Sequence, residues 1–110
     1  MTLHSILWAS AGKLASSQTV RRIELYAEMA RLRAYPITDE VAREIAAMEA
    51  EAENCGQALR RLGAFRPDKD PSCPHCWIMK GEHSPLMPVD RTRLLRCSNC
   101  GSETEAAEPI

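Results

Sequence analysis

The sequence has few aromatic residues, no long apolar run and almost no net charge: aromatic residues make up 5% of its 110 positions, and the formal net charge is −1. The longest apolar run, Ile6 to Ala9, is far shorter than the about 20 residues that a membrane-spanning helix needs. The start, Met-Thr-Leu-His, lacks the positive charge of a secretory signal. We therefore expect a cytoplasmic protein without a membrane segment, and the charge balance favours neither overall nucleic-acid binding nor disorder.

Residue sets typical of catalysis are also missing. Gly12-Lys13 is not a phosphate loop, because it lacks the earlier glycine and a following serine or threonine. The three histidines, His4, His75 and His83, have no evident serine or cysteine partner with which to form a nucleophile–base set. The sequence therefore predicts a protein that is not an enzyme and has no small-molecule substrate.

Two Cys-x-x-Cys pairs, Cys73 with Cys76 and Cys97 with Cys100, carry the clearest chemical signal. Two residues between cysteines allow both sulfurs of a tight turn to reach one ion about 2.3 Å away, and the second pair completes a tetrahedron. We predict that these four cysteines bind Zn²⁺. Because four thiolates close the coordination sphere, the predicted role is structural.

Other readings of the four cysteines are weaker. Two disulfides would need an oxidising compartment, and no secretory signal is evident. Iron in a rubredoxin-like cage is the main chemical rival, but Trp77 is the only aromatic residue between the pairs, whereas such cages have an aromatic core. The fifth cysteine, Cys55, lies on an apolar stripe and is expected in the core.

The N-terminal half predicts two helices, at about residues 17–34 and 39–62. An ambiguous segment over residues 1–16 precedes them and reads as a short helix broken near Gly12. The first helix has two apolar stripes, so we expect burial on more than one side, against the C-terminal region, the N-terminal segment or a second copy of the chain. One stripe contains Val20, Ile23, Ala27, Ala30 and Ala34, and the other contains Leu25, Met29 and Leu32.

The second helix has the regular a/d spacing of a coiled coil over three heptads. Thr38 is suited to cap its N-terminus, and Gly63 follows its last apolar position. The apolar positions are Val41, Ile45, Met48, Ala52, Cys55, Leu59 and Leu62. With a short turn between them, the two helices should form an antiparallel hairpin.

The predicted fold class is α+β, with an N-terminal helical hairpin and a small C-terminal zinc ribbon. We divide the chain into a hairpin with its N-terminal segment, a linker, the ribbon and an acidic disordered tail, at residues 1–63, 64–72, 73–101 and 102–110. Residues 77–80 and 93–96 are the strand candidates, and the prolines in the loop between them should prevent regular pairing there.

Residues 73–101 resemble the generic four-cysteine zinc ribbon, which is used in transcription factors, ribosomal proteins and primases. The layout of a helical hairpin followed by such a module is similar to the DksA/TraR group of RNA polymerase regulators. In that group an acidic pair at the hairpin tip, followed by alanine, reaches into the polymerase. The resemblance implies that Asp39 and Glu40, with Ala42 close behind, contact a protein partner.

Two functional hypotheses follow. The first is a non-enzymatic regulatory protein that docks on a transcription or replication complex, or on a host factor of a phage or mobile element, with a homodimer through the helices left open. Leu86 and Met87, between two prolines, either fold back on Trp77 or lie exposed in the loop and offer it an apolar contact. The alternative is nucleic-acid binding by the ribbon, with Trp77 stacking on bases. Its basic residues are Lys80, Arg91, Arg93 and Arg96.

Overall fold

Two long helices and a small C-terminal module make up the fold, which confirms the α+β prediction. A computed structural model describes residues 2–67 and 71–105. Helix α1 (Leu3–Arg33) and helix α2 (Asp39–Ala64) pack side by side as an antiparallel hairpin. Helix α3 (Pro74–Lys80) and strands β1 (Leu86–Pro88), β2 (Leu94–Cys97) and β3 (Glu103–Glu105) follow. The strands form one antiparallel sheet in the order β1-β2-β3.

Helix α1 is continuous over 31 residues, so the expected break near Gly12 is wrong. The Thr2 hydroxyl caps the helix by accepting a hydrogen bond from the Ser5 backbone N–H at 3.1 Å. A glycine inside a helix costs only about 1 kcal/mol relative to alanine. Burial of Leu7, Ala11 and Ala15 on either side of Gly12 outweighs that cost, because packing of an apolar face supplies most of the stability of a helix.

Helix α2 begins where the sequence indicated. The Thr38 hydroxyl accepts a hydrogen bond from the Val41 backbone N–H at 3.2 Å, and Asp39 and Glu40 occupy the first turn. The heptad pattern holds as far as Cys55, but Leu59 is 57% exposed and Ala58 is buried in its place. Ala58 packs with buried residues of α3 and β1, so the buried side of α2 changes where the C-terminal module packs against it.

Residues 77–80 were predicted as a strand, but they lie in α3. Pro74 occupies the start of this helix, where the missing N–H costs nothing. Gly81 closes it with a positive φ of 71°, a conformation that side-chain-bearing residues rarely adopt. The first cysteine pair therefore sits on a helix start, and not on the strand hairpin of the predicted ribbon.

The remaining strand candidate is confirmed within one residue, since β2 spans Leu94–Cys97. The prolines did not prevent pairing: Pro88 ends β1 opposite Leu95, on the edge of the sheet, where a missing N–H is tolerated. The prediction of a disordered tail is wrong for Glu103–Glu105, which form strand β3 and pair with β2 on the side opposite β1. Residues 106–110 of that tail lie outside the described residues, as do residues 68–70 of the linker.

The core consists of two groups of side chains, which we name the base cluster and the hairpin cluster. The hairpin cluster joins α1 to α2 through Leu25, Met29, Ile45, Ala52 and Cys55. The base cluster joins the C-terminal module to the first half of α1 and the end of α2. It contains Leu7, Ala11, Ala15, Ala58, Phe65, Cys73, Cys76, Ile78, Leu86 and Cys97.

The molecule is elongated, with extents of 62 × 23 × 17 Å. The C-terminal module occupies one end, and the turn at residues 34–38 lies at the other. Ala15 is the last α1 residue of the base cluster, and α1 continues from there to Arg33 over a length of about 27 Å at 1.5 Å per residue. The sequence placed Phe65 in a linker, but its side chain is 1% exposed. Its ring packs edge-on with the ring of Trp8, with the two ring centroids 5.7 Å apart, so Phe65 anchors that linker to α1.

Candidate metal centre

The first cysteine pair is held by the start of α3. Cys73 is the residue before the helix and Cys76 lies in its first turn, so both sulfurs lie on the same side of the turn. The backbone around Cys73 is fixed by pairing with the segment before β1: its N–H donates to Ser84 O at 2.8 Å, and the Leu86 N–H donates to Pro71 O at 2.9 Å. Both cysteines are fully buried.

The second pair lies on the turn between β2 and β3. Cys97 ends β2, and Cys100 comes just before Gly101, whose φ of 77° lets the chain reverse. The Gly101 N–H donates to Cys97 O at 2.9 Å, and the Cys97 N–H donates to Ser102 O at 2.9 Å. A tight, hydrogen-bonded turn therefore brings the second pair back toward the first.

The four sulfurs form one compact group, with every sulfur within 4.8 Å of the others. Cys73 Sγ lies 3.6 Å from Cys100 Sγ, and Cys76 Sγ lies 3.6 Å from Cys97 Sγ. Sulfurs bound tetrahedrally at about 2.3 Å from one ion are about 3.8 Å apart, whereas a disulfide bond measures about 2.05 Å. The cysteines are free thiols at distances that suit a metal ion, which confirms a four-cysteine candidate metal site.

Protonation differs across the site. Burial raises the pKa of the Cys73 and Cys76 thiols, so both hold their protons at neutral pH when no cation is near. Burial acts the same way on Cys100, but hydrogen bonds, the Ser102 hydroxyl first, outweigh it and lower its pKa to about 6. The Ser102 hydroxyl lies 3.0 Å from Cys100 Sγ. A bound cation would offset the cost of the buried thiolates, so the chemistry of the four thiols fits a positive ion.

Polar side chains also surround the cysteines. Asn99 Nδ2 lies 3.7 Å from Cys76 Sγ and donates hydrogen bonds to Ser84 Oγ at 3.3 Å and Glu82 Oε2 at 3.0 Å. Two histidines of the C-terminal module differ in their surroundings. His83 is exposed, but His75 is half-buried and its Nδ1 has no hydrogen-bond partner. Among residues 2–67 and 71–105, only the four cysteines form a group with metal-ligand geometry.

Side chains of α2 hold α3 in place, and sequence reasoning missed them. Arg61 Nη1 donates to Ile78 O at 3.0 Å, and Asn54 Nδ2 donates to Met79 O at 3.1 Å. In return, the Trp77 indole N–H donates to Arg61 O at 2.6 Å. The carbonyls at the end of a helix lack intrahelical partners, so these bonds fix α3 and its cysteines against the hairpin. Only the packing of α3 on α2 reveals this, because no local motif connects residues so far apart in the chain.

The residues predicted to bind a protein partner are not all at the surface. Asp39 and Glu40 are exposed on the first turn of α2, at the far end of the molecule from the cysteines. Met87 is 55% exposed. Leu86 is 5% exposed and belongs to the base cluster, because successive residues of a strand point to opposite sides. The prediction of an exposed Leu86 is therefore wrong.

The residues named for nucleic-acid binding lie within the C-terminal module. Lys80 and Arg91 are exposed, as is Arg93. Arg96 pairs with Glu103 across the sheet at 2.9 Å. Trp77 is half-buried, and its indole N–H is bonded to α2. The structure thus leaves Trp77 as a packing residue, and Arg96 is paired with a carboxylate of the acidic strand β3.

The comparisons with known proteins add no family. The chain matches no protein-family model, and neither a curated protein nor a solved structure matches it. The similarity to the DksA/TraR layout therefore rests on the hairpin and the four cysteines alone. Within the described part of the chain, no helix combines the length and apolar character needed to cross a membrane.

Proposed function

We propose that this is a non-enzymatic zinc protein, in which the ion fixes the C-terminal module to the helical hairpin and the hairpin docks on a protein partner. The observation that carries the proposal is the position of the metal site inside the base cluster. Three of its four cysteines are 0% exposed and pack among side chains of α1, α2, α3 and β1. An ion there would tie all parts of the chain together, which is what a structural zinc site does.

Zinc is the proposed ion because four thiolates at tetrahedral spacing suit it. Iron is the chemical rival, and the test separates the two. We expect the chain, purified under reducing conditions, to hold one zinc ion by elemental analysis and to lack the visible absorption of an iron–thiolate centre. Cys97→Ser should lose the ion and Cys55→Ser should keep it, since Cys55 lies in the hairpin cluster. A coloured iron protein would contradict the choice of ion.

The absence of catalysis is part of the proposal. A catalytic zinc keeps one coordination position open to water or substrate, whereas four protein thiolates close the sphere. The core side chains that pack on the cysteines, such as Phe65 and Ile78, are apolar, and the polar Asn99 and Ser102 lie within hydrogen-bond distance of the sulfurs. Full occupancy of all four thiolates, measured by X-ray absorption on the zinc-loaded protein, would support this, and a bound water in place of one thiolate would contradict it.

The proposed docking surface is the turn end of the hairpin. Tyr35 is 69% exposed and Ile37 is 54% exposed, next to the carboxylates of Asp39 and Glu40. Exposed apolar side chains beside acidic ones suit a protein groove lined with apolar and basic residues. The resemblance to DksA/TraR favours a transcription complex as the partner, and a replication complex or a host factor is the wider class. Free thiol ligands suit a reducing cytoplasm.

Docking can be tested with surface variants that leave the metal site untouched. We expect Ile37→Asp and the double variant Asp39→Lys with Glu40→Lys to lose partners that wild type retains in quantitative affinity purification. Leu59→Asp, a change of an equally exposed apolar residue near the other end of α2, is the matched control. Equal loss with Leu59→Asp, or no loss with either hairpin variant, would overturn this docking surface.

The same protein can test the nucleic-acid alternative. Binding to random DNA and RNA that weakens steeply as salt rises would indicate several phosphate contacts. It should also weaken on charge reversal of Arg93. Such a result would replace the docking proposal, whereas absence of binding at low salt would leave protein docking as the working hypothesis.

A further inference from the structure

Helix α1 exposes an apolar face on the side away from α2. We name it the outer face, and it consists of the five residues predicted as the first stripe: Val20, Ile23, Ala27, Ala30 and Ala34. All five are exposed, with Val20 at 54% and Ile23 at 65%, and none belongs to either cluster. The other stripe, through Leu25 and Met29, makes the contact with α2. The helix therefore has apolar sides facing both inward and outward, which is unusual for a surface helix.

We propose that the outer face binds a second copy of this chain, with the two α1 helices antiparallel and a two-fold axis near Ala27. The spacing of the five residues alternates between three and four, which is the pattern of a helix–helix seam. The side chains of the outer face become smaller from its N-terminal end to its C-terminal end. Val20 and Ile23 are large, and Ala30 and Ala34 are small.

This size order selects the antiparallel direction. About an axis at Ala27, Val20 of one copy lies opposite Ala34 of the other, and Ile23 lies next to Ala30. Each large side chain then meets a small one, so the helices can approach closely with even packing. A parallel pair would place Val20 against Val20 at one end and alanine against alanine at the other, with a gap along the alanine half.

The charges beside the outer face select the same direction. Glu24 follows Val20 by four positions and Arg31 follows Ala27 by four, so both lie on the same flank of the face. An antiparallel two-fold pair brings equal flanks together, and Glu24 of each copy then lies near Arg31 of the other. A parallel pair would bring opposite flanks together, so Glu24 of one copy would not lie near Arg31 of the other.

Both charged side chains are available for such contacts. Glu24 is 62% exposed and Arg31 is 66% exposed at the side-chain level. Their present partners, Arg21 at 3.8 Å and Glu28, lie one turn away on the same helix. Pairs of this kind on an exposed helix surface are weak and can be exchanged when a second helix arrives.

The inference goes beyond docking on another protein, because it concerns the chain alone. The outer face spans 14 residue steps, so the copies would overlap over about 21 Å at 1.5 Å per residue. The two metal modules would then point in opposite directions, at the two ends of a longer rod. Loss of the dimer would leave the metal site and the hairpin end unchanged, so the two proposals can fail separately.

The first test is sedimentation equilibrium of the zinc-loaded full chain over a concentration series. We expect a monomer–dimer equilibrium in wild type. Ala27→Glu places two carboxylates together at the axis and should weaken the dimer at least about tenfold. Ala46→Glu, the same change at an exposed position of α2, should not. A wild type that is monomeric at every concentration, or equal effects of the two variants, would overturn the proposal.

A second test fixes the direction. Glu24→Arg and Arg31→Glu should each weaken the homodimer, because each places like charges opposite one another twice. Mixing the two single variants should restore dimerisation, since the introduced arginine of one would meet the introduced glutamate of the other, and the unchanged Arg31 would meet the unchanged Glu24. Circular dichroism and zinc content of each variant should match wild type. A wild-type dimer without recovery in the mixture would overturn the antiparallel arrangement.

Discussion

The base cluster and the hairpin cluster hold the same two long helices together in different ways. The base cluster collects ten buried residues from five segments of the chain around a metal site. The hairpin cluster has five buried residues from two helices, and exposed ion pairs such as Arg21 with Glu51 at 2.7 Å and Arg33 with Glu49 at 2.7 Å lie beside it. One end of the molecule therefore packs around a candidate metal site, and the other is held by a narrow apolar seam.

The C-terminal module and the hairpin end therefore have different requirements for stability. Short strands of three or four residues and a helix of seven residues are too small to be stable by themselves, so the C-terminal module relies on packing against the base of the hairpin and, in our proposal, on a bound ion. The long helices need no ion for their own contact. The hairpin end, free of these constraints, is the part that we propose for docking.

The largest expected effect is loss of the ion. Structural zinc supplies about 10–16 kcal/mol of apparent binding free energy in small modules, which exceeds the stability of most domains. Cys97→Ser, or removal of zinc by a chelator, should unfold the C-terminal module while the hairpin keeps much of its helical signal. Backbone NMR of the labelled protein would show collapse of the signals of residues 71–105 and survival of those near the hairpin cluster. Equal loss at both ends would show that the two clusters fold as one unit.

Acid should act on the base cluster next. The thiols of Cys73 and Cys76 have a pKa raised by burial, so both must release a proton when the ion binds near neutral pH. Bound ion keeps these groups deprotonated in the folded state, while the unfolded chain holds the protons. Stability is therefore present at higher pH and lost as pH falls. Release of these two protons implies that metal affinity weakens at least about a hundredfold for each unit by which the pH falls.

Calorimetric titration in buffers of different ionisation enthalpy would count these protons. The hairpin cluster serves as the internal control, because it contains no titrating ligand and its contacts should survive mild acid. A metal affinity that does not change with pH, or binding without proton release, would contradict the assignment of the thiols.

The next comparison is between truncations of one buried side chain in each cluster. Phe65→Ala removes a fully buried ring and its edge contact with Trp8, and we expect a cost of about 3–5 kcal/mol. Met29→Ala in the hairpin cluster should cost about 2–5 kcal/mol by the same cavity argument. Urea unfolding of the zinc-loaded variants would measure both. The sharper readout is zinc release, which Phe65→Ala should accelerate and Met29→Ala should not.

The smallest predicted effect concerns the polar contact between α2 and α3. Arg61→Ala would leave the part-buried Ile78 carbonyl without its hydrogen-bond donor, and we expect the free energy of unfolding to fall by about 1–3 kcal/mol. Arg60→Ala changes an exposed neighbour and is the matched control. We expect faster zinc exchange in Arg61→Ala alone. Identical exchange rates in both variants would mean that the apolar contacts of the base cluster hold α3 by themselves.

Much of the local structure and of the candidate site was predictable. The cap residue Thr38, the start of α2 and strand β2 were recognised from neighbouring residues, because capping and strand patterns act over a few positions. The set of four cysteines was also recognised, since few other arrangements of thiols satisfy one ion. Arg61 and Asn54 were missed, because their partners are carbonyl groups that no sequence pattern marks.

The sequence by itself determined the four candidate ligands, the two helices and the turn between them, because each depends on short-range geometry. Tertiary structure alone decided the rest. Packing on the C-terminal module carried α1 through Gly12, and the fit of α3 against α2 made a helix of residues expected as a strand. The second edge of β2 ordered Glu103–Glu105. Above all, α1 has two apolar stripes, and the position of α2 buried the one that contains Leu25 and Met29 and left the other exposed.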